Sequence, residues 1–150
     1  MTVDQNEQIL NLMKSLNNSQ STRVELYKEF DDAFKDYKNE RLPIEQYQSI
    51  CGIVTDGFQE VSQQIQNVER QLKETYSRTD LADLIRKLQE AERQKLKLTV
   101  NLQIWDINSS NSDVDYSESI SEARTELGNL LESINEILEE IREATSELSI

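Results

Sequence analysis

Histidine does not occur in this chain of 150 residues, and cysteine occurs once, at Cys51. Without histidine the commonest general acid–base and the commonest metal ligand are both missing. One cysteine cannot close an internal disulfide or build a zinc site. Proline also occurs once (Pro43) and glycine three times. So few breakers leave little room for the many turns of a sheet, and they favour a few long helices. No stretch approaches the roughly 20 apolar residues of a membrane span. Phosphate-cradling glycine loops, metal-ligand spacings and nucleophile–base pairs are absent as well.

These absences leave carboxylates as the only conventional catalytic groups. The 29 Asp and Glu side chains are scattered along helical segments, where they read as solvated faces. The expectation is therefore no enzyme: no catalytic residue, no cofactor and no metal site. A single free cysteine suits a reducing compartment. The opening residues, Met1 to Glu7, carry neither the basic region nor the apolar run of a signal peptide. Both point to a nuclear or cytoplasmic protein.

What the chain has in abundance is negative charge, −13 in total. Residues 109–150 hold 11 acidic and 2 basic side chains, whereas residues 80–108 are balanced at 5 of each. A nucleic-acid binder needs a basic surface to displace counterions from phosphates. This chain is expected neither to contact nucleic acid directly nor to approach an anionic membrane, and a basic protein is its natural partner.

Apolar residues recur three and four apart along four segments, the signature of amphipathic helices. In the first, Ile9, Leu12, Leu16, Leu26, Phe30, Ala33 and Tyr37 share a stripe that Met13, Tyr27 and Phe34 widen. The polar run 17–22 interrupts it, leaving Ser19 and Arg23 at stripe positions. Two geometries are open there, one long helix or two helices meeting at a kink. Asn and Ser are middling helix formers and not breakers, which favours one helix.

Residues 39–43 form a connection, with Pro43 suited to the first turn of the second helix. That helix carries Tyr47, Ile50, Val54, Phe58, Val61, Ile65, Val68 and Leu72, extended by Tyr76. Gly52 and Gly57 fall inside it, where each costs about 1 kcal/mol against Ala. Close approach of a neighbouring helix is the expected compensation at both. Residues 77–80 form the second connection, with Thr79 or Asp80 as helix cap.

The third helix carries Leu81, Leu84, Leu88, Ala91, Lys95, Leu98, Leu102 and Trp105, and residues 108–115 are expected as a polar loop. The fourth carries Ile120, Ala123, Leu127, Leu130, Ile134, Ile137, Ile141, Ala144 and Leu148, widened by Leu131 and Leu138. The resulting architecture is all-α: an elongated antiparallel four-helix bundle or a pair of coiled-coil hairpins.

Several features have two readings. The basic run from Arg86 to Lys97 suggests phosphate contact taken alone, but Glu90 and Glu92 lie within it, so pairing with an acidic neighbour such as the fourth helix fits better. Glu132, Glu136, Glu139, Glu140, Glu143 and Glu147 cover the outer side of the fourth helix. They form either a solvated face or a docking surface for a basic protein. The apolar stripe beneath them equally suits a homotypic coiled coil, so a homo-oligomer stays open.

The aromatics Tyr27, Phe30, Phe34, Tyr37, Tyr47 and Phe58 read as core where the first two helices meet, with a peptide groove as the other reading. Cys51 reads as a small buried apolar side chain. Ser110, Ser112, Ser117 and Ser119 sit among acidic residues, a weak signal for acid-directed phosphorylation.

The third helix also bears a family likeness. Its Ile85-Arg86-Lys87-Leu88-Gln89, then Glu92, Lys95-Leu96-Lys97-Leu98-Thr99 and Leu102-Gln103, resembles the closing helix of the Required for excision 1-B domain family. The aromatics Tyr27, Phe30, Phe34 and Tyr37, then Tyr47, Thr55, Phe58, Ser62, Ile65 and Leu72 continue the resemblance, which covers roughly residues 8–105. It implies a small eukaryotic helical protein linked to DNA repair, with no established enzymatic activity, in which residues 1–108 form a three-helix domain. Residues 109–150, an acidic loop and helix outside that pattern, are expected to pack on the same bundle.

The combined reading is a non-enzymatic helical adaptor or scaffold working through protein contacts. Partner-binding residues are placed on the third helix, where polar identity looks specified: Arg86, Gln89, Glu92, Lys95 and Gln103, with Trp105 as an anchor. A structural coiled-coil subunit of a cytoskeletal or tethering complex is the alternative.

Overall fold

The computed structural model describes residues 3–148. It contains four helices: α1 (Val3–Lys38), α2 (Ile44–Glu74), α3 (Thr79–Asn111) and α4 (Ser117–Glu147). Among the described residues there is no strand, so the fold is all-α, as the periodicity predicts. The chain forms two compact units. One comprises the residues up to Ala82 together with Glu147 and Leu148, and the other runs from Asp83 to Ser146.

In the first unit α1 runs unbroken through the polar patch. Ser19 and Arg23, the two polar stripe positions, are buried, at 5% and 4% exposure. Burial of polar groups requires partners. Ser19 Oγ donates to Gln64 Oε1 of α2 at 2.9 Å, and Arg23 Nη1 donates to Gln20 Oε1 at 3.0 Å. The patch is thus a polar rung inside an apolar seam, and it needs no kink.

The α1–α2 hairpin is antiparallel and holds one register along its length. Tyr37 stacks on Tyr47 at 5.1 Å, Tyr27 meets Phe58 at 4.7 Å, Ser19 bonds Gln64, and the Tyr76 hydroxyl donates to Gln8 Oε1 at 2.7 Å. As the α1 partner steps back from Tyr37 to Gln8, the α2 partner steps forward by the same amount. The aromatic set is therefore packing at the closed end of the hairpin, as expected. Burial and then a hydrogen bond with Cys51 push the Tyr47 phenol well above its ordinary range.

α2 buries Tyr47, Val54, Phe58, Val61, Ile65, Val68 and Leu72, the expected stripe. Ile50 and Cys51 are half-buried, so Cys51 is not the fully buried residue expected. Gly57 does meet a close neighbour, Leu26 of α1. Gly52 does not: a side chain there would meet nothing within 4 Å, which overturns the close-approach expectation at that position.

The helix ends also differ in detail from the sequence reading. Pro43 precedes the first helical residue, and its carbonyl accepts the N–H groups of Gln46 and Tyr47, both at 3.1 Å. α1 closes on a 6→1 bond from Arg41 N to Asp36 O (2.8 Å), with Glu40 at φ 60° between them. This is the Schellman geometry that usually takes glycine.

At the start of α3 neither Thr79 nor Asp80 is the cap, because the Arg78 carbonyl accepts the first helical bond, from Ala82 N at 3.1 Å. Asp80 instead takes both Arg78 Nε and Nη2 at 2.9 Å, a bidentate pair. That bond is the largest cause holding the Asp80 carboxyl below its usual range.

α3 continues to Asn111, past the expected helix end. Asn111 Nδ2 donates to Ile107 O at 3.1 Å, and Ser110 Oγ donates to Asp106 O at 3.4 Å. Side chains that usually compete with helix here bond back one turn, to carbonyls of α3 itself. The loop shrinks to residues 112–116.

Candidate protein-docking site

In the second unit, α3 and α4 line a groove of about 680 Å³. α3 contributes Arg93, Gln94, Lys97, Leu98, Asn101 and Trp105, and α4 contributes Ser119, Glu122, Ala123 and Glu126. Arg93, Lys97, Asn101 and Trp105 follow each other at intervals of four, so helical geometry alone sets them in a row. Ser119, Glu122, Ala123 and Glu126 do the same on α4 at intervals of three and four.

The short loop delivers the second row. Val114 N donates to Ser112 Oγ at 3.1 Å, Ser117 N donates to Asp115 Oδ1 at 2.9 Å, and Ile120 N donates to the Tyr116 carbonyl at 2.9 Å. The Ser117 hydroxyl also donates to Asp115. Both Ser117 bonds hold the Asp115 carboxyl below its usual range, the hydroxyl contact most. α4 therefore starts at a defined residue, Ser117.

The groove is lined mostly by polar surface, with Leu98 and Trp105 as its apolar part. Ala123 is buried at 3% exposure, and Leu98 and Trp105 are half-buried. Arg93, Gln94, Lys97, Ser119, Glu122 and Glu126 are exposed. Arg93 pairs with Glu90 of its own helix at 2.9 Å. Beside Trp105, Ile104 is 47% exposed. The cations lie on the α3 wall and the carboxylates on the α4 wall, so the basic run and acidic helix singled out in the sequence line one groove.

Of the six residues placed at a partner contact from sequence, Trp105 is the one that lines this groove. Arg86 is exposed, while Gln89 and Lys95 are half-buried. Glu92 and Gln103 are buried, at 4% and 7% exposure, and engaged within the fold. A docked protein reaches side chains on the rim, not these two. Sequence reasoning puts Ala123 on the apolar stripe of α4 and Ser119 among candidate phosphorylation sites, and it passes over Glu122 and Glu126 because the acidic outer side is read from Glu132 onward. The small residue at Ala123, between two glutamates on the α4 stripe, is the signal that marks a depression there.

Among the described residues no group of three or more His, Cys, Asp or Glu is placed to hold a metal ion. No helix there is long and apolar enough to cross a membrane. The groove offers an aromatic face, donors and acceptors, which is the equipment of binding.

Comparison with known proteins gives two relatives that this chain matches along most of its length. The heterochromatin silencing protein rss1 of Schizosaccharomyces pombe is 37% identical over 125 residues, 83% of this chain and 91% of that protein. The Required for excision 1-B domain-containing protein of Mus musculus is 24% identical over 136 residues, 89% of this chain and 79% of that protein.

The uncovered share of this chain in the yeast match, 17% or about 25 residues, is smaller than the 31 residues of α4, so the likeness reaches into the acidic helix. The DNA repair REX1-B pattern itself matches residues 11–106, from the first turns of α1 to just past Trp105. With more than half of its length matched, this chain belongs to the DNA repair REX1-B family.

Proposed function

We propose that this chain is a non-enzymatic nuclear adaptor that joins proteins of chromatin-linked DNA repair or silencing through contacts on its helices. The observation that carries this reading is the likeness to rss1, a heterochromatin silencing protein, over 83% of this chain, within a family described by DNA repair.

The composition supports the same reading. A chain without histidine, with one half-buried cysteine, lacks the usual machinery of acid–base, nucleophilic and zinc chemistry. Its charge of −13 opposes direct phosphate contact, so an attachment to chromatin runs through proteins.

The test is affinity capture of the intact chain from nuclei, with and without exhaustive nuclease digestion. Proteins of repair or silencing machinery retained after digestion are the expected result. Loss of all chromatin association on digestion would mean that nucleic acid is the ligand, and would overturn the adaptor reading.

A further inference from the structure

The α3–α4 groove has a shape and a charge that point to an occupant. From Arg93 to Trp105 it follows α3 for twelve residues, roughly 18 Å or a little over three helical turns. That length suits a helix anchored at i, i+3, i+4 and i+7, the helix-in-groove mode of recognition. Between its polar walls it offers two half-buried apolar side chains, Leu98 and Trp105, and the occupant brings a stripe of apolar side chains to those two.

Charge selects the flank of that stripe. Glu122 and Glu126 are exposed on the α4 wall, with Glu118 before them and Glu132 and Glu136 beyond, all exposed. Across α4 as a whole only Arg124 and Arg142 are basic, and Arg142 is already paired with Glu139 at 2.6 Å. On the α3 wall Arg93 is paired with Glu90 and Lys97 is a second exposed cation, so the negative sign of the field comes from the nine glutamates of α4. A field of this sign attracts lysine and arginine and repels a second copy of a chain that carries −13.

We propose that the groove between α3 and α4 seats an amphipathic helix of a protein partner, with its apolar stripe on Leu98 and Trp105 and its lysines or arginines against Glu122 and Glu126. The proposal rests on the adaptor reading and gives it a site. Trp105, at one end of the α3 wall, is a large flat side chain of the kind that dominates binding energy when covered.

Trp105 is also the sole tryptophan of the chain, so its fluorescence reports on the groove alone. The probe is a synthetic helical peptide without aromatic residues, with a leucine stripe flanked by lysines, titrated into the full chain. The expected result is a saturable blue shift of the Trp105 emission that weakens as salt is raised. Two further peptides serve as comparisons: one of the same composition, scrambled so that the leucines encircle the helix, and one with glutamate in place of every lysine. Each is expected to bind at least tenfold more weakly.

Glu122→Lys/Glu126→Lys is expected to abolish the shift while the circular dichroism of the protein stays unchanged. If that pair disturbs folding, Glu122→Gln/Glu126→Gln is expected to weaken binding at least tenfold. The proposal is overturned by an equal response to the scrambled peptide, by a preference for the glutamate peptide, or by binding that survives both sets of substitutions. An emission shift that depends on protein concentration without peptide would assign the groove to a second copy instead. Failure here with nuclease-resistant capture intact removes this groove as the site and leaves the adaptor role standing, whereas loss of both removes the role.

Discussion

Leu26 lies over Gly57 so closely that a methyl group on Gly57 would come within 2.8 Å of the leucine Cδ2 and 3.1 Å of its Cδ1. The two helices of the first unit touch there through the absence of a side chain. Gly52, five residues earlier on the same helix, faces open space.

The contrast predicts opposite behaviour from one substitution. Gly52→Ala gains helix propensity without a clash and is expected to stabilise the protein by about 0.5–1 kcal/mol. Gly57→Ala has the same gain, but Leu26 must turn away, so its net effect is smaller or unfavourable. In the Leu26→Ala background that penalty disappears. A double-mutant cycle by urea unfolding is expected to show coupling between positions 26 and 57 and none between 26 and 52. Additivity at both glycines would contradict the packing described.

Ile65 and Ile53 test the register of α2. Ile65 is fully buried and Ile53 is 67% exposed on the same helix. Ile65→Ala is expected to cost about 2–5 kcal/mol, the range for emptying a packed position. Ile53→Ala is expected to change stability by less than about 0.5 kcal/mol. Comparable losses at the two positions would place the hydrophobic seam elsewhere.

These contrasts bear on what the sequence could disclose. The stripes of α1, α2 and α4 were legible because burial on a helix follows the three-four period, and α1 ran through its polar patch because Asn and Ser tolerate helix. On α3 the buried line takes Ala82, Ile85, Glu92 and Gln103, which lie beside the expected stripe, while Leu84, Lys95, Leu98, Leu102 and Trp105 are half-buried. The role of Gly52 was not legible, since helical spacing puts a glycine on a face but does not say what stands opposite. The extension of α3 to Asn111 was hidden because Ser and Asn serve loops or helix ends according to which carbonyl they find. The groove needs two rows from helices separated by a loop, so its α4 wall emerged only when α3 and α4 were seen together. Glu92 and Gln103 looked like surface choices because they are polar, whereas they are buried.

The Arg78–Asp80 pair predicts a modest pH dependence. Its bidentate contact sits at the start of α3, and it holds the Asp80 carboxyl below the ordinary value near 3.9. The stabilisation is therefore present above that ordinary value and is lost as pH falls through the lower folded value. Asp80 is 62% exposed, so solvent keeps the contribution under about 1 kcal/mol. Thermal unfolding of Asp80→Asn is expected to run below that of the unsubstituted chain at pH 7, with the gap closing below about pH 4 as the carboxyl is protonated. A gap of the same size at pH 3 would mean that the pair acts through shape and not charge.

The proposed role is tested most directly by exchange with the fission yeast relative. A strain of Schizosaccharomyces pombe without rss1 would carry this chain in its place, or the Glu122→Lys/Glu126→Lys form at equal abundance, with a reporter gene set in heterochromatin. The prediction is that the intact chain restores silencing of the reporter and the groove variant restores it less. An intact chain that accumulates in the nucleus and leaves the reporter fully expressed would contradict the account.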